Sequence, residues 1–134
     1  MRLFGIGIDI VQNKRILGLL TRSNGERFLK KALHPEELLK LESFQLEKNR
    51  IEFVSSRWAA KEAVVKASRR KDLDFAAIWI KSNPDGRRRL DPGSPELFYE
   101  RSVQEVLDQL HIKQSFISIS HEDEYSVASV MLYM

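Results

Sequence analysis

The stretch from Phe53 to Ala67 constrains the fold of this chain more than any other. Wound as a helix at ~100° per residue, it puts Phe53, Ser56, Ala60, Ala63, Val64 and Ala67 on one narrow stripe. Those side chains are small enough for a neighbouring element to approach closely. Trp58, Glu62, Lys66 and Arg69 lie opposite, roughly one turn apart. An indole on the charged side needs a cover, either another element or a ligand. Taken alone, the stretch is an amphipathic helix with a Glu62-to-Lys66 i,i+4 pair worth ~0.3 kcal/mol.

The N-terminal run Leu3-Phe-Gly-Ile-Gly-Ile-Asp-Ile-Val11 alternates as a strand does. Phe4, Ile6, Ile8 and Ile10 make one strongly apolar face, and Gly5, Gly7 and Asp9 make the other. Two glycines beside a carboxylate weaken the strand as packing but leave its backbone open to a bulky group. By itself this is an edge strand whose aspartate caps the next element. Near the C-terminus, Ser115 to Tyr133 holds two apolar runs around His121-Glu-Asp-Glu124, which predicts an antiparallel hairpin with a four- or five-residue turn. His121 ends the first run, a good place to present an imidazole, although one histidine beside a turn is more often structural.

These motifs occur in order and at matching spacing in one family. Gly5-Ile-Gly-Ile-Asp9, Arg57-Trp58-Ala-Ala-Lys61-Glu62-Ala-Val-Val-Lys66-Ala and Ile119-Ser-His121…Tyr125-Ser-Val-Ala resemble the 4′-phosphopantetheinyl transferases, in particular the short holo-acyl-carrier-protein synthase branch. The resemblance covers essentially the whole chain, and the Trp-x-x-Lys-Glu-Ala-x-x-Lys-Ala stretch is its most specific part.

Composition agrees with that resemblance. A chain of 134 residues makes one domain, large enough to bury roughly two-thirds of its unfolded surface. The absence of cysteine suits an intracellular protein, in the cytoplasm or, in a eukaryote, the mitochondrial matrix. No apolar run is long enough to span a bilayer, so no membrane partner is expected, and the first strand starts too early for a visible leader peptide. The net charge is only +3, but cations cluster: Lys14, Arg15, Arg22, Arg27, Lys30 and Lys31 against Glu26 alone, then Lys66 to Lys71, then Arg87 to Arg89. Such clusters attract phosphates and acidic surfaces. Nucleic acid is not expected, since no aromatic residues interleave with the cations and no nucleic-acid-binding signature is readable.

The expected order is a strand over 3–11, helices within 12–48 broken near Ser23-Asn24-Gly25 and His34-Pro35, and a long helix from about Glu52 to Arg70. Pro35-Glu36-Glu37 reads as a helix start. A strand over Phe75–Lys81 follows, then a turn at Asn83–Gly86, a short partner strand at Arg87–Leu90, a loop at Asp91–Pro95 and a helix to about Leu110, before the closing hairpin. Separate blocks joined by hairpins make this an α+β chain, a single domain over 1–134 with an antiparallel sheet packed against a long helix, as in the 4′-phosphopantetheinyl transferase fold.

The family moves phosphopantetheine from coenzyme A to a serine of an apo acyl carrier protein and releases 3′,5′-ADP. The nucleophile belongs to the substrate, which fits a chain with no serine- or cysteine-based catalytic arrangement. By the resemblance, Asp9 and Glu62 hold magnesium, an ion that often takes only one or two carboxylates and completes its shell with water and phosphate oxygens. Glu62 and Lys66 are the implied catalytic residues, with Lys66 beside the pyrophosphate. Arg57, Lys61, Lys66 and His121 are the implied coenzyme A contacts, His121 at the 3′-phosphate; Lys61 points some 100° away from Glu62. The proton acceptor stays open between metal-held water and Glu62. Arg15, Arg22 and Arg27 match positions where the family carries carrier-protein contacts, and the short family form resembles a homotrimer that binds coenzyme A between neighbours. Large residues on both faces of the hairpin, Phe116 and Met131 against Ile117, Ile119 and Val130, suit such an assembly.

One departure stands out. The family usually follows the Lys-Ala of the long helix with a glycine-containing loop near the phosphates, whereas this chain has Ser68-Arg-Arg-Lys-Asp-Leu73. A second function class, a small basic module binding RNA or another polyanion, explains the cations but gives Asp9 and Glu62 no task.

Overall fold

Helix α4 (Glu47–Ser68) is the axis on which the rest is laid. In the computed structural model, which describes residues 1–82 and 93–134, the lean stripe Phe53, Ser56, Ala60, Ala63, Val64 and Ala67 is buried. Val54, Ser55, Ala59 and Lys61 are buried as well, because partners surround the helix on several sides. Strands β1 (Leu3–Gln12) and β5 (Tyr125–Tyr133) cover one side. Helices α1 (Asn13–Thr21) and α3 (Pro35–Glu42) and strand β2 (Ile78–Ser82) cover others. The cover over Trp58 is protein: Phe28 of α2 (Gly25–Ala32) lies 5.5 Å from its ring and Phe75 lies 5.0 Å away.

The main sheet has the order β1-β5-β4, all antiparallel, with β4 spanning Gln114–His121. On its inner face Ala128, Val130 and Leu132 are buried, with Ile117 and Ile119 packed against the same core. Gly5 and Gly7 share this face, and the bulky group their bare backbone admits is α4 itself. A Cβ on Gly5 would land on the carbonyl oxygen of Ala67, and one on Gly7 on that of Ala63. The two sequence features that asked for close approach therefore meet each other. The apolar alternation of β1 points away from the core, leaving Ile6, Ile8 and Ile10 exposed at 56, 61 and 62%.

The helices before α4 follow the expected breaks. His34 caps α3: its Nδ1 accepts from the Glu36 amide at 3.0 Å, while Glu37 Oε1 accepts from the His34 amide at 3.0 Å. Helix α4 starts five residues before the expected Glu52. Its first turn is polar and mostly exposed, so hydrophobic periodicity does not register it. It ends at Ser68 because Arg69 turns left-handed, with φ 61°.

Two expectations after α4 are corrected. The strand expected over 75–81 begins at Ile78, after a single 3-10 turn over Phe75–Ala77. The helix expected from about 95 to 110 is split: Pro95–Tyr99 is strand β3, paired with β2 from Ser82↔Pro95 to Ile78↔Tyr99, and α5 is Arg101–Gln109. Proline can open such an edge strand because its missing N–H faces no partner. The expected turn at 83–86, the strand at 87–90 and the first residues of the loop at 91–95 lie outside the described residues. The closing hairpin forms where expected, but its turn is tighter than the expected four or five residues, with Glu122–Glu124 alone between β4 and β5. It is anchored by the buried Asn13, whose side chain donates to the carbonyls of Glu122 and Asp123 and accepts from Ser126.

Candidate active site

Asp9 sits on the inner face of β1, opposite Ala128, just past the point where the glycines have drawn α4 in. That approach brings α4 side chains within reach. Lys66 Nζ lies 3.1 Å from Asp9 Oδ1 and donates to the carbonyl of Ile8 at 2.9 Å. The lysine side chain is half exposed and the aspartate mostly covered. Glu62, one turn before Lys66, is half-buried. Burial first, and then the negative charge of Asp9, raise its carboxyl above the ordinary range, while Lys66 and Arg15 pull it back. Asp9, Glu62, Lys66 and Arg15 thus act on one another at one place.

Two carboxylates brought together, one of them with its proton affinity raised by burial and by its neighbour's charge, suit a hard cation. Among the described residues no cluster of three or more metal-binding side chains occurs, so this pair can supply only part of a coordination shell. Magnesium, which keeps waters and takes phosphate oxygens, fits that donor set better than an ion needing a full protein cage. A carboxyl with raised proton affinity is also the member of this group best suited to take up a proton.

A second group lies about five residues back along α4. Arg57 and His121 line a cleft of about 360 Å3 together with Glu52, Phe53 and Ser56. The guanidinium of Arg57 stacks over the Phe53 ring, 4.2 Å from its centroid, and Nη1 donates to Ser56 Oγ at 3.1 Å. His121 Nδ1 stands 3.8 Å from Glu52 Oε2. A cation and an imidazole over an aromatic floor suit an anionic, ring-bearing ligand.

Lys61 belongs to neither group, which corrects its assignment as a ligand contact. It is fully buried, donating to Glu37 Oε1 at 2.6 Å and to the Ala32 carbonyl at 2.7 Å. A lysine among alanines reads as surface, yet this one faces the interior because a buried carboxylate waits there. Arg15 and Arg27 are exposed on α1 and α2, and Arg22 is exposed just after α1, so the basic segment spans two helices. In the loop without glycine, Arg69 itself occupies the left-handed position over the Phe4 ring. Arg70 pairs bidentately with Asp72 at 2.9 and 2.6 Å, which holds that carboxyl below its usual range. Sequence reasoning missed Glu37, Glu52 and Asn13. The acids look like ordinary helix charges, and only the three-dimensional neighbours distinguish them.

The 4′-phosphopantetheinyl transferase superfamily model ACPS matches residues 5–128. The holo-[acyl-carrier-protein] synthase of Koribacter versatilis is 32% identical over 133 residues, covering 97% of this chain and 98% of that protein. The one from Hydrogenovibrio crunogenus is 35% identical over 130 residues, covering 95% and 94%. Among solved structures, the holo-ACP-synthase from Plasmodium yoelii superposes with a TM-score of 0.81 at 30% identity, over 98% of this chain and 94% of that one. The synthase from Bacillus anthracis, in complex with CoA (3′,5′-ADP), gives 0.74 at 29% identity, over 98% and 97%.

Proposed function

This chain belongs to the 4′-phosphopantetheinyl transferase superfamily, and from that premise we propose that it is a holo-acyl-carrier-protein synthase. It transfers 4′-phosphopantetheine from coenzyme A to a serine of an apo acyl carrier protein and releases 3′,5′-ADP. The observation that carries the reading is the meeting of Asp9, Glu62 and Lys66 where β1 touches α4. A polyanion-binding module would have no use for two carboxylates set together beside its cations, and the full-length relatives are synthases.

Asp9 and Glu62 would hold magnesium, which when bound neutralises charge on the pyrophosphate. Lys66 is free to leave Asp9 for that pyrophosphate, since its side chain is half in solvent. Arg57 and His121 hold the 3′-phosphate in their cleft. Arg15, whose charge already reaches Glu62, docks the acidic carrier near the reacting atoms, with Arg22 and Arg27 extending that surface. The serine oxygen then attacks phosphorus in line, its proton passing to Glu62 or to a water. The bond from phosphorus to the bridging oxygen breaks and that oxygen leaves on 3′,5′-ADP; the chain's own task is positioning, charge stabilisation and that proton transfer.

Glu62 and Arg57 are about 140° apart around α4 at ~100° per residue. The two groups therefore project from different sides of α4. That separation, with the exposed isoleucine face of β1, supports a homotrimer in which coenzyme A lies between copies. Asp9→Ala and Glu62→Ala are expected to lower turnover at least about a hundredfold while the protein still folds. Arg15→Glu should raise KM for the carrier and spare KM for coenzyme A. Transfer by either carboxylate variant at near the native rate with magnesium would overturn the assignment.

A further inference from the structure

Two clefts share a wall. One is the cleft of His121. The other, of about 390 Å3, opens between α3, α4 and β2 and is lined by Glu37, Arg57, Trp79 and Lys81 among others. Phe53, Arg57 and Ser82 line both, so the Arg57 side chain stands between them. Glu37 meets it from the second cleft, with Oε2 3.8 Å from Arg57 Nε. That carboxylate is almost wholly buried and is gripped from three elements. Oε1 accepts from the His34 amide at the start of α3 and from Lys61 Nζ on α4, and Oε2 accepts from the Ile80 amide of β2. A group fixed this way does not follow a mobile arginine; the arginine conforms to it.

Lys61 and Arg57 both approach Glu37, with Asp74 acting on Lys61 as well. Burial lowers the proton affinity of both cations, and the carboxylates only partly restore it. Among the described residues the buried Nε of Arg57 has no hydrogen-bond partner, because 3.8 Å is Coulombic contact without a bond. Arg57 is therefore held by Glu37 through charge alone at Nε, on the wall of the His121 cleft, where Glu52 is the carboxylate present among the described residues.

We infer that Glu37 is a positioning residue for Arg57, fixing the heading of the guanidinium so that its charge faces the His121 cleft and selects substrates bearing a 3′-phosphate. The inference rests on the proposed reading of Arg57 and His121 as contacts of that phosphate. Glu37 itself touches no substrate.

The test is the ratio of kcat/KM for coenzyme A to kcat/KM for 3′-dephospho-coenzyme A, with one apo carrier protein. Arg57→Ala should remove most of the native preference. Glu37→Gln keeps the shape and loses the charge, and is expected to lower the ratio by about tenfold, the effect of weakening one charged contact. In the Arg57→Ala background Glu37→Gln should change the ratio no further, since its effect runs through Arg57. Should Glu37→Gln alone fail to fold, Glu37→Gln with Lys61→Met leaves no buried ammonium unpaired and is judged by the same ratio. A purely structural role would lower both kcat/KM values by one factor and leave the ratio unmoved, which overturns the inference. A ratio that Arg57→Ala leaves unchanged overturns the reading of the cleft and the inference with it. A ratio that moves with Arg57→Ala but not with Glu37→Gln overturns the inference alone.

Discussion

On the inner face of β1, Gly5 and Gly7 carry no side chain, and α4 rests directly on their backbone; on the outer face, Ile6, Ile8 and Ile10 stand in solvent. The residues with most apolar surface to hide are the ones left uncovered. Contact distance explains this inversion. A helix lined by Ala60, Ala63 and Ala67 can press close only where the strand offers no Cβ, and closeness is what brings Asp9 to Lys66 and Glu62. The inner face is thus specified by shape and holds the residues of the proposed site. The outer face is specified by hydrophobicity and is the face of the proposed association.

The sharpest way to break that contrast is Gly7→Ala. The added methyl would collide with the backbone of Ala63, so β1 and α4 must part and carry Asp9 away from Glu62. We expect a loss of at least about 3 kcal/mol in urea denaturation, together with most of the activity. Gly18→Ala is the control, because nothing lies within 4 Å of that position on α1, and it should be neutral or slightly stabilising. If Gly7→Ala unfolds within about 1 kcal/mol of the native protein, close approach is not what sets this interface.

The outer face predicts a smaller effect on the folded chain and a larger one on assembly. Ile8→Glu removes an exposed apolar side chain whose burial in an interface would contribute about 1–2 kcal/mol, and sets a charge in its place. With Phe116 and Met131 exposed on the same sheet face, this substitution should dissociate the proposed trimer into monomers of unchanged helical content. A native protein that is monomeric and fully active at micromolar concentration would remove the role assigned to this face.

Much of the inner architecture was legible because glycine, alanine and alternation leave short-range marks. The stripe of α4, the hairpin, the proline-led start of α3 and the carboxylate at the end of β1 each follow from residues close in sequence. The illegible parts depend on distant partners. Lys61 reads as a surface cation until Glu37, 24 positions earlier, is seen beneath it. Pro95–Tyr99 is too short to declare itself a strand without β2 beside it. The outward turn of the isoleucines follows from a helix whose position the strand's own pattern does not encode.

The subtlest consequence of the contrast concerns pH. Because burial and Asp9 raise the Glu62 carboxyl above its ordinary range, the folded chain binds that proton more tightly than the unfolded chain does. The stability contributed by this group is full below the unfolded value of about 4.3 and declines as pH rises through the higher folded value. Ionised Glu62 therefore costs the metal-free protein stability at neutral pH. Glu62→Gln, which cannot ionise, should melt at most about 3 °C higher than the native protein at pH 7 without magnesium, the modest size reflecting partial exposure to water. That gain should vanish below about pH 4, where the native carboxyl is protonated in both states. Added magnesium should raise the native melting temperature, as any ligand of the folded state does, and leave Glu62→Gln nearly unmoved. A lower melting temperature for Glu62→Gln across the whole pH range would show that Glu62 is held by favourable contacts, and that the inner face gives up no stability for its chemistry.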